Sequence, residues 1–270
     1  MLWQTGPMSA GRSARERVRA ELTREIKEAA RRQLAAEGAP HLSLRAVARE
    51  LGMVSSALYR YFPSRDDLLT ALIIDAYEAL GQAAEAAAAS SEGDDLLERW
   101  RAVCRSIRQW AVEHPHEYAL VYGSPIPGYR APADTVVPAA RAVSVLLGLL
   151  GAAWAEGRVA PPADAPPLRA EVAGEMERLA AEILPGVDAA TAFRMLVAWT
   201  QLLGMVSFEL FGHSVGAIER TDLAFDAAVD AMARYVGLVP RGEGGVAGRT
   251  RRRGGRAAPT GVGSRPNGAG

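Results

Sequence analysis

Apolar residues recur at helical intervals along almost the whole chain. From Arg12 to about Glu37, Val18, Leu22, Ile26, Ala29 and Leu34 fall on one face, and Gly38 and Pro40 follow as a stop, predicting a first helix. Ser43 then stands before "LRAVARELG" as an N-cap, with Leu44, Val47, Ala48 and Leu51 on one side and Gly52 where a helix ends. The chain restarts within about three residues, the connection length of a helix-turn-helix. Over 55–62, at 100° per residue, Leu58 and Phe62 turn inward while Ser55, Ser56, Tyr59 and Arg60 share the outer side. Ser64 and Asp67 form a Ser-x-x-acid capping box ahead of "LLTALIIDAYEAL", which predicts a long helix to about Ala89. Helical periodicity returns at 94–114, 135–157, 169–183, 188–212 and 221–238, interrupted by "SPIPGYRAPAD" and "VAPPADAPP", whose prolines cannot continue a helix. Strand signals are absent, so the expected fold is all-α. It consists of a three-helix helix-turn-helix domain over 12–64 and a larger helical domain over 65–238. Residues 1–11 lack periodicity, and 239–270 are rich in Gly and Arg with almost nothing apolar; both are expected to be disordered.

The 270 residues are 49% hydrophobic and carry 31 basic against 31 acidic side chains, but the charge is unevenly laid out. Residues 1–70 hold 12 Arg/Lys against 8 Asp/Glu, 71–240 hold 12 against 22, and 241–270 hold 7 against 1. A polyanion is therefore attracted to either end and repelled by the middle. The single cysteine, Cys104, excludes an intrachain disulfide framework and reads as a small buried apolar residue. No run reaches the roughly 18 uninterrupted apolar residues of a membrane span, and no signal sequence opens the chain, so a cytoplasmic protein with no membrane partner is expected. There is no Gly-x-Ser-x-Gly elbow, phosphate loop or His-Glu-x-x-His, which argues against an enzyme. No cofactor is expected. His114 and His116 flank Pro115, but a proline read as a helix breaker and the lack of a third ligand argue against a metal site.

The outer side of 55–62 is small at its start and aromatic and basic afterwards. A recognition helix needs that order, because its first residues approach base edges, where Ser55 and Ser56 can donate or accept and Ala57 can touch a thymine methyl. Tyrosine hydroxyls and Arg60 are phosphate donors that fix orientation. Arg65 adds a second hint: a cation in the first turn of a helix opposes the macrodipole, and a phosphate would reconcile the two.

"SLRAVARELGMVSSALYRYFPSRDDLLTALI", preceded by a basic amphipathic helix, resembles the DNA-binding domain of the tetracycline-repressor (TetR) family over residues 15 to 75. Two positions depart from the family pattern: Val54 stands where a capping serine is common, leaving the cap to Ser55, and Arg65 replaces a lysine. The resemblance implies that Tyr59, Tyr61, Arg65 and Ser43 hold phosphates. It implies that Arg45, Ser55, Ser56 and Ala57 face bases, with Leu44 and Arg60 on the same surface, and that Arg12 and Arg15 reach the adjacent backbone or minor groove. Tyr61 also reads as a packing residue beside Leu58 and Phe62.

The segment "AWTQLLGMVSFELFGH" (198–213) is similar to the Trp-x-x-x-His-Gly signature of one C-terminal subtype, with Leu203 at the histidine position; "EHPHEYALVYGSPIPGYRAPADT" (113–135) is typical of the same subtype. The resemblance implies a ligand-binding and dimerising domain. Helix 188–212 is apolar on more than one side, and with helix 221–238 it predicts a four-helix interface across a two-fold axis, built on Val197, Leu210, Phe225, Val229 and Met232. Trp110, Tyr118, Tyr122, Trp154, Met195, Trp199, Met205 and Phe208 are candidate walls of a small-molecule pocket, or else plain core. The expected protein is a homodimeric repressor that binds a palindromic double-stranded operator in the major groove and is released by a small, largely apolar effector. A constitutive DNA-bending factor of the same fold is the alternative, and a cavity discriminates between them.

Overall fold

Side-chain caps set the starts of four helices. The N–H groups of Ala46, Asp67, Leu97 and Thr191 donate to the side chains of Ser43, Ser64, Asp95 and Asp188, at 3.4, 3.1, 3.3 and 2.9 Å. Each satisfies a donor that the first turn leaves without a helical partner. The computed structural model describes residues 8–238 apart from 92, 94, 161, 163 and 165, with side chains described from residue 14 onward. The tail 239–270, the first seven residues and the side chain of Arg12 lie outside the described residues.

In chain order the helices are α1 (Met8–Glu37), α2 (Leu44–Glu50), α3 (Ser55–Leu58), α4 (Arg65–Ser90), α5 (Leu96–Glu113), α6 (Pro115–Tyr122), α7 (Val136–Ala155), α8 (Ala170–Ile183), α9 (Ala189–Leu210) and α10 (Thr221–Val236). No strand occurs among the described residues, only an isolated bridge between Val159 and Leu238. α6 departs from the expected order. Pro115, read from the sequence as a breaker, occupies the first turn of α6, where the missing N–H removes no helical hydrogen bond. The recognition segment also differs, since the regular helix closes at Leu58 and Tyr59 to Tyr61 follow as turn.

Two apolar clusters divide the molecule. Ile26, Ala29 and Leu34 of α1, Val47 and Ala48 of α2, Leu58 and Phe62 close on Leu68, Leu69 and Leu72 of α4. The second cluster gathers Ala76, Leu80 and Ala84 from the next turns of α4 with Trp100, Ile107, Tyr118, Leu146, Leu150, Met195 and Val206. α4 crosses α7 at Gly81, where an added Cβ would fall 2.6 Å from the stem of Arg141. The Arg141 guanidinium runs over that glycine to Glu78 and Glu85.

α10 does not present the face expected of an interface helix. Phe225, Val229 and Met232 are 2%, 0% and 1% exposed within the single chain, packed in the second cluster. Trp100 Nε1 donates to Val229 O at 3.1 Å, and the Arg108 guanidinium lies 5.3 Å from the Phe225 ring centroid. Arg101 and Arg105 of α5 pair with Asp230 and Asp226 at 2.6 and 2.8 Å. An apolar stripe reads the same whether its partners are helices of its own chain or a second chain, and here they are α5 and α9. Leu210 likewise packs against the second cluster, while Val197 is half-buried on α9. The hydrogen bonds from Arg105 and Arg101 hold the Asp226 and Asp230 carboxyls below their usual range. Their stabilisation is complete above the ordinary carboxylate range and is lost as pH falls through the depressed values.

The segment Ala133–Ala155 and α9 are long and apolar enough on average to cross a membrane, although neither is an uninterrupted apolar run. Both contribute to the second cluster through Leu146, Leu149, Leu150, Leu202 and Val206. Replacing Phe225 with Ala should cost about 3–5 kcal/mol in denaturant unfolding, the range for emptying a large aromatic from a core. The folded fraction should keep the oligomeric mass of the parent, whereas a shift to a smaller mass at unchanged stability would return Phe225 to an interface.

Candidate nucleic-acid interface and adjoining cleft

Ser43 caps α2, and Gly52 takes φ +65° in the α2–α3 turn, a left-handed conformation that glycine adopts without a Cβ clash. Met53 N–H then donates to Ala48 O at 2.8 Å and sets the start of α3. Val54 is the N-cap of α3 and offers no side-chain oxygen, so the cap expected of Ser55 is not made. The Ser55 and Ser56 hydroxyls make no hydrogen bond to any described residue. Arg45, Ser56, Tyr59 (42% exposed) and Arg60 are exposed, while Ser55 and Ala57 are half-buried. Neither guanidinium, Arg45 nor Arg60, is paired with a described residue.

Three residues expected at this surface have other surroundings. Leu44 is 4% exposed and belongs to the first apolar cluster, because the inward face of α2 begins at its first residue. The ring of Tyr61 packs against the same cluster under the Arg19 guanidinium, 5.2 Å from its centroid. Arg65 turns away from solvent: its Nε donates to Leu42 O at 3.2 Å and its Nη2 to Ala39 O and Pro40 O at 2.8 and 3.3 Å. Ala39 O also accepts the 3-10 bond from Leu42 N–H at 3.3 Å, and the guanidinium adds a second donor there while covering the Pro40 and Leu42 carbonyls. That contact supplies a structural reason for the cation in the first turn of α4. Arg15 is exposed on α1.

A chain of charges ties this domain to the larger one. Lys27 and Arg31 of α1 both reach Asp75 of α4, at 2.8 and 2.7 Å. Arg31 Nε extends to Glu117 of α6 at 2.9 Å, and His114 Nδ1 lies 3.0 Å from the other Glu117 oxygen. No local sequence signal announces the pairs that Lys27 and Arg31 make with Asp75 and Glu117, whose partners stand 44 to 86 positions apart.

Beside these ion pairs lies a cleft of about 600 Å³. Leu34, Gly38, Ala39 and Pro40 form one wall, His116, Ala119, Leu120, Tyr122 and residues 123–126 the second, and Ser207, Phe211 and His213 the third. Of the eight aromatic and methionine candidates, only Tyr122 lines it. Tyr118 is core, its hydroxyl bonded to Leu203 O and Ser207 Oγ at 2.9 Å each. Trp110 is buried with its ring 5.4 Å from that of His114, and Met195 is buried. Trp154, Trp199 and Met205 pack against the second cluster, and Phe208 is 58% exposed beside His213. Composition places such residues in a domain interior but does not say whether they enclose space or fill it.

Residues 26–72 match the profile described as bacterial regulatory proteins of the tetR family, and residues 100–232 match that of the tetracyclin repressor-like C-terminal domain. The HTH-type transcriptional regulator Rv1816 of Mycobacterium tuberculosis is 40% identical over 228 residues, which cover 83% of this chain and 94% of that one. Its Mycobacterium bovis counterpart Mb1846 matches to the same degree. The chain belongs to the TetR family of transcriptional regulators. Among solved structures, that of SCO4313, a protein assigned a regulatory role, superposes with a TM-score of 0.67 at 34% identity, covering 80% of this chain and 97% of that one. The TetR regulator from Marinobacter aquaeolei VT8 shares the fold, with a TM-score of 0.52 at 21% identity over 80% of this chain and 97% of that one. The segment 26–72 is thus a helix-turn-helix DNA-binding domain, and this TetR protein is a transcriptional regulator, not an enzyme.

Arg65→Ala should lower stability by about 1.5–3 kcal/mol, the usual range for a charged group bonded to backbone carbonyls. The slope of log K against log salt for DNA binding should stay unchanged. A slope smaller by about 0.9 at unchanged stability would make Arg65 a phosphate ligand instead.

Proposed function

We propose that this regulator is a ligand-responsive homodimeric repressor that reads a palindromic operator through the major groove. The observation that carries the reading is the surface of Arg45, Ser56, Tyr59 and Arg60, exposed and without partners among the described residues. Arg31, Arg101, Arg105, Arg108 and Arg141 in the body of the molecule, by contrast, each hold a carboxylate. Ser56 and Ala57 at the start of α3 let the backbone approach base edges, and Ser55 adds a hydroxyl beside them. Tyr59 and Arg60 grip phosphates on one side, while Arg45 of α2 contacts bases or backbone on the other. Ser43 and the hydroxyl of Tyr61 are secondary phosphate donors. Arg12 and Arg15 precede this unit on α1 and supply the approach to the minor groove. The protein acts in the cytoplasm, where its operator is.

With α10 turned inward, dimerisation passes to α8 and α9. Leu179 and Ile183 of α8 are exposed four residues apart on one face, and Leu196 of α9 is exposed between the half-buried Phe193 and Val197. An apolar edge on two adjoining helices suits an isologous four-helix contact. The two recognition helices of such a dimer would address half-sites about 34–36 Å apart.

Each phosphate neutralised releases counterions, so operator affinity should fall steeply with salt. Arg60→Ala should shrink the slope of log K against log salt by about 0.9. Fluorescence anisotropy at several salt concentrations measures it, and an unchanged slope removes Arg60 from the interface. Leu196→Asp should halve the mass found by light scattering at micromolar protein while helix content is kept, because a charge placed in an apolar interface has no partner. A parent protein already monomeric at that concentration would remove the dimer reading.

A further inference from the structure

The cleft between the DNA-binding domain and the larger domain is defined by its chemistry as much as by its position. No Asp, Glu, Lys or Arg lines it, although the Arg31–Glu117 pair stands next to it on the same helices. Its polar groups are the Tyr122 hydroxyl, two serines and the imidazoles of His116 and His213. The Tyr122 hydroxyl makes no hydrogen bond to any described residue. Its ring is held edge-on against Tyr77, centroids 6.0 Å apart, and at 5.1 Å from Tyr118, so the phenol is fixed in place by its neighbours. Pro40, Pro125 and Phe211 supply flat apolar faces around it. A volume of about 600 Å³ falls within the range of small-molecule sites.

We propose that this cleft is the effector site and that its ligand is a neutral planar aromatic carrying a hydroxyl or carbonyl oxygen. The proposal rests on the effector-responsive reading of the protein and gives that reading a location. A charged ligand would leave water for a cleft with no carboxylate, ammonium or guanidinium to meet it. A neutral aromatic stacks on rings and prolines and accepts the hydrogen bond that the Tyr122 hydroxyl has free.

The same geometry supplies a route to the DNA surface. Ala39 and Pro40 are wall residues of the cleft and also offer their carbonyls to Arg65. Ser43, the cap of α2, follows three residues after Pro40. A ligand wedged against this wall pushes the 39–40 segment away from α6, loads the Arg65 hydrogen bonds and turns α2 and α3 relative to α4. Operator is then released by a shift of the reading unit itself.

The test uses the full chain and titration calorimetry with 2-naphthol, naphthalene and 2-naphthoate as probes. Saturable binding of 2-naphthol should be lost in Ser124→Trp and in His116→Trp, two exposed wall positions whose substitution should leave helix content and melting temperature unchanged. Tyr122→Phe should weaken 2-naphthol about fivefold and leave naphthalene unaffected, since only the first has an oxygen to bond. Naphthol binding that survives both tryptophans overturns the site, as does tighter binding of 2-naphthoate than of 2-naphthol, or no binding at all. Operator affinity is read in parallel. Release of operator by 2-naphthol in Ser124→Trp as well as in the parent refutes the site and leaves the effector reading standing. Binding in the cleft with no change in operator affinity refutes the effector reading.

Discussion

One helix belongs to two cores. Leu68, Leu69, Leu72 and Ile73 of α4 are buried in the DNA-binding domain, and Ala76, Leu80 and Ala84, on the next turns, are buried in the larger domain. A continuous helix cannot repack one end without transmitting rotation or tilt to the other, because neither core has room for a register change. The Lys27–Asp75–Arg31–Glu117 ion pairs brace the same junction from the side, with Asp75 standing on α4 between its two buried halves. These pairs are partly exposed, so their value lies less in net stability than in fixing the angle between domains.

That constraint gives meaning to the uneven use of arginine. Arg31 and Arg65 near the junction and Arg101, Arg105 and Arg108 of α5 are fastened to carboxylates or carbonyls, whereas Arg45 and Arg60 on the proposed reading surface have no partner among the described residues. If that surface meets nucleic acid as proposed, a protein carboxylate beside the cation would compete with phosphate. Arg65 marks the border between the two uses, standing at the start of the shared helix and bonded inward to the turn that leads into α2.

What the sequence disclosed follows the range of the interaction. Ser43 and Ser64 announce their helices because a cap is made within three residues, and the inward pair Leu58 and Phe62 follows from one turn of periodicity. The helix-turn-helix, built almost wholly from such local signals, was therefore legible. α6 is hidden in the sequence because Pro115 breaks a helix at any position except the first turn, and spacing alone does not say which it occupies. The inward face of α10 looks like an interface in the sequence because its partners on α5 lie more than a hundred residues earlier, as in the pairing of Arg101 with Asp230. The cleft is assembled from segments near residues 38, 120 and 210, and no window of sequence contains it.

The reading unit is held in position by the junction and not by its own core alone. Hydrogen–deuterium exchange of Glu117→Gln against the parent addresses it directly, because the substitution keeps the side chain's shape, lies on α6 and weakens the pair with Arg31 across the junction. Loss of the brace should give faster exchange in the second half of α1 and through α2 and α3, far from the substituted residue. Faster exchange confined to α6, with α1 to α3 as protected as in the parent, would contradict it.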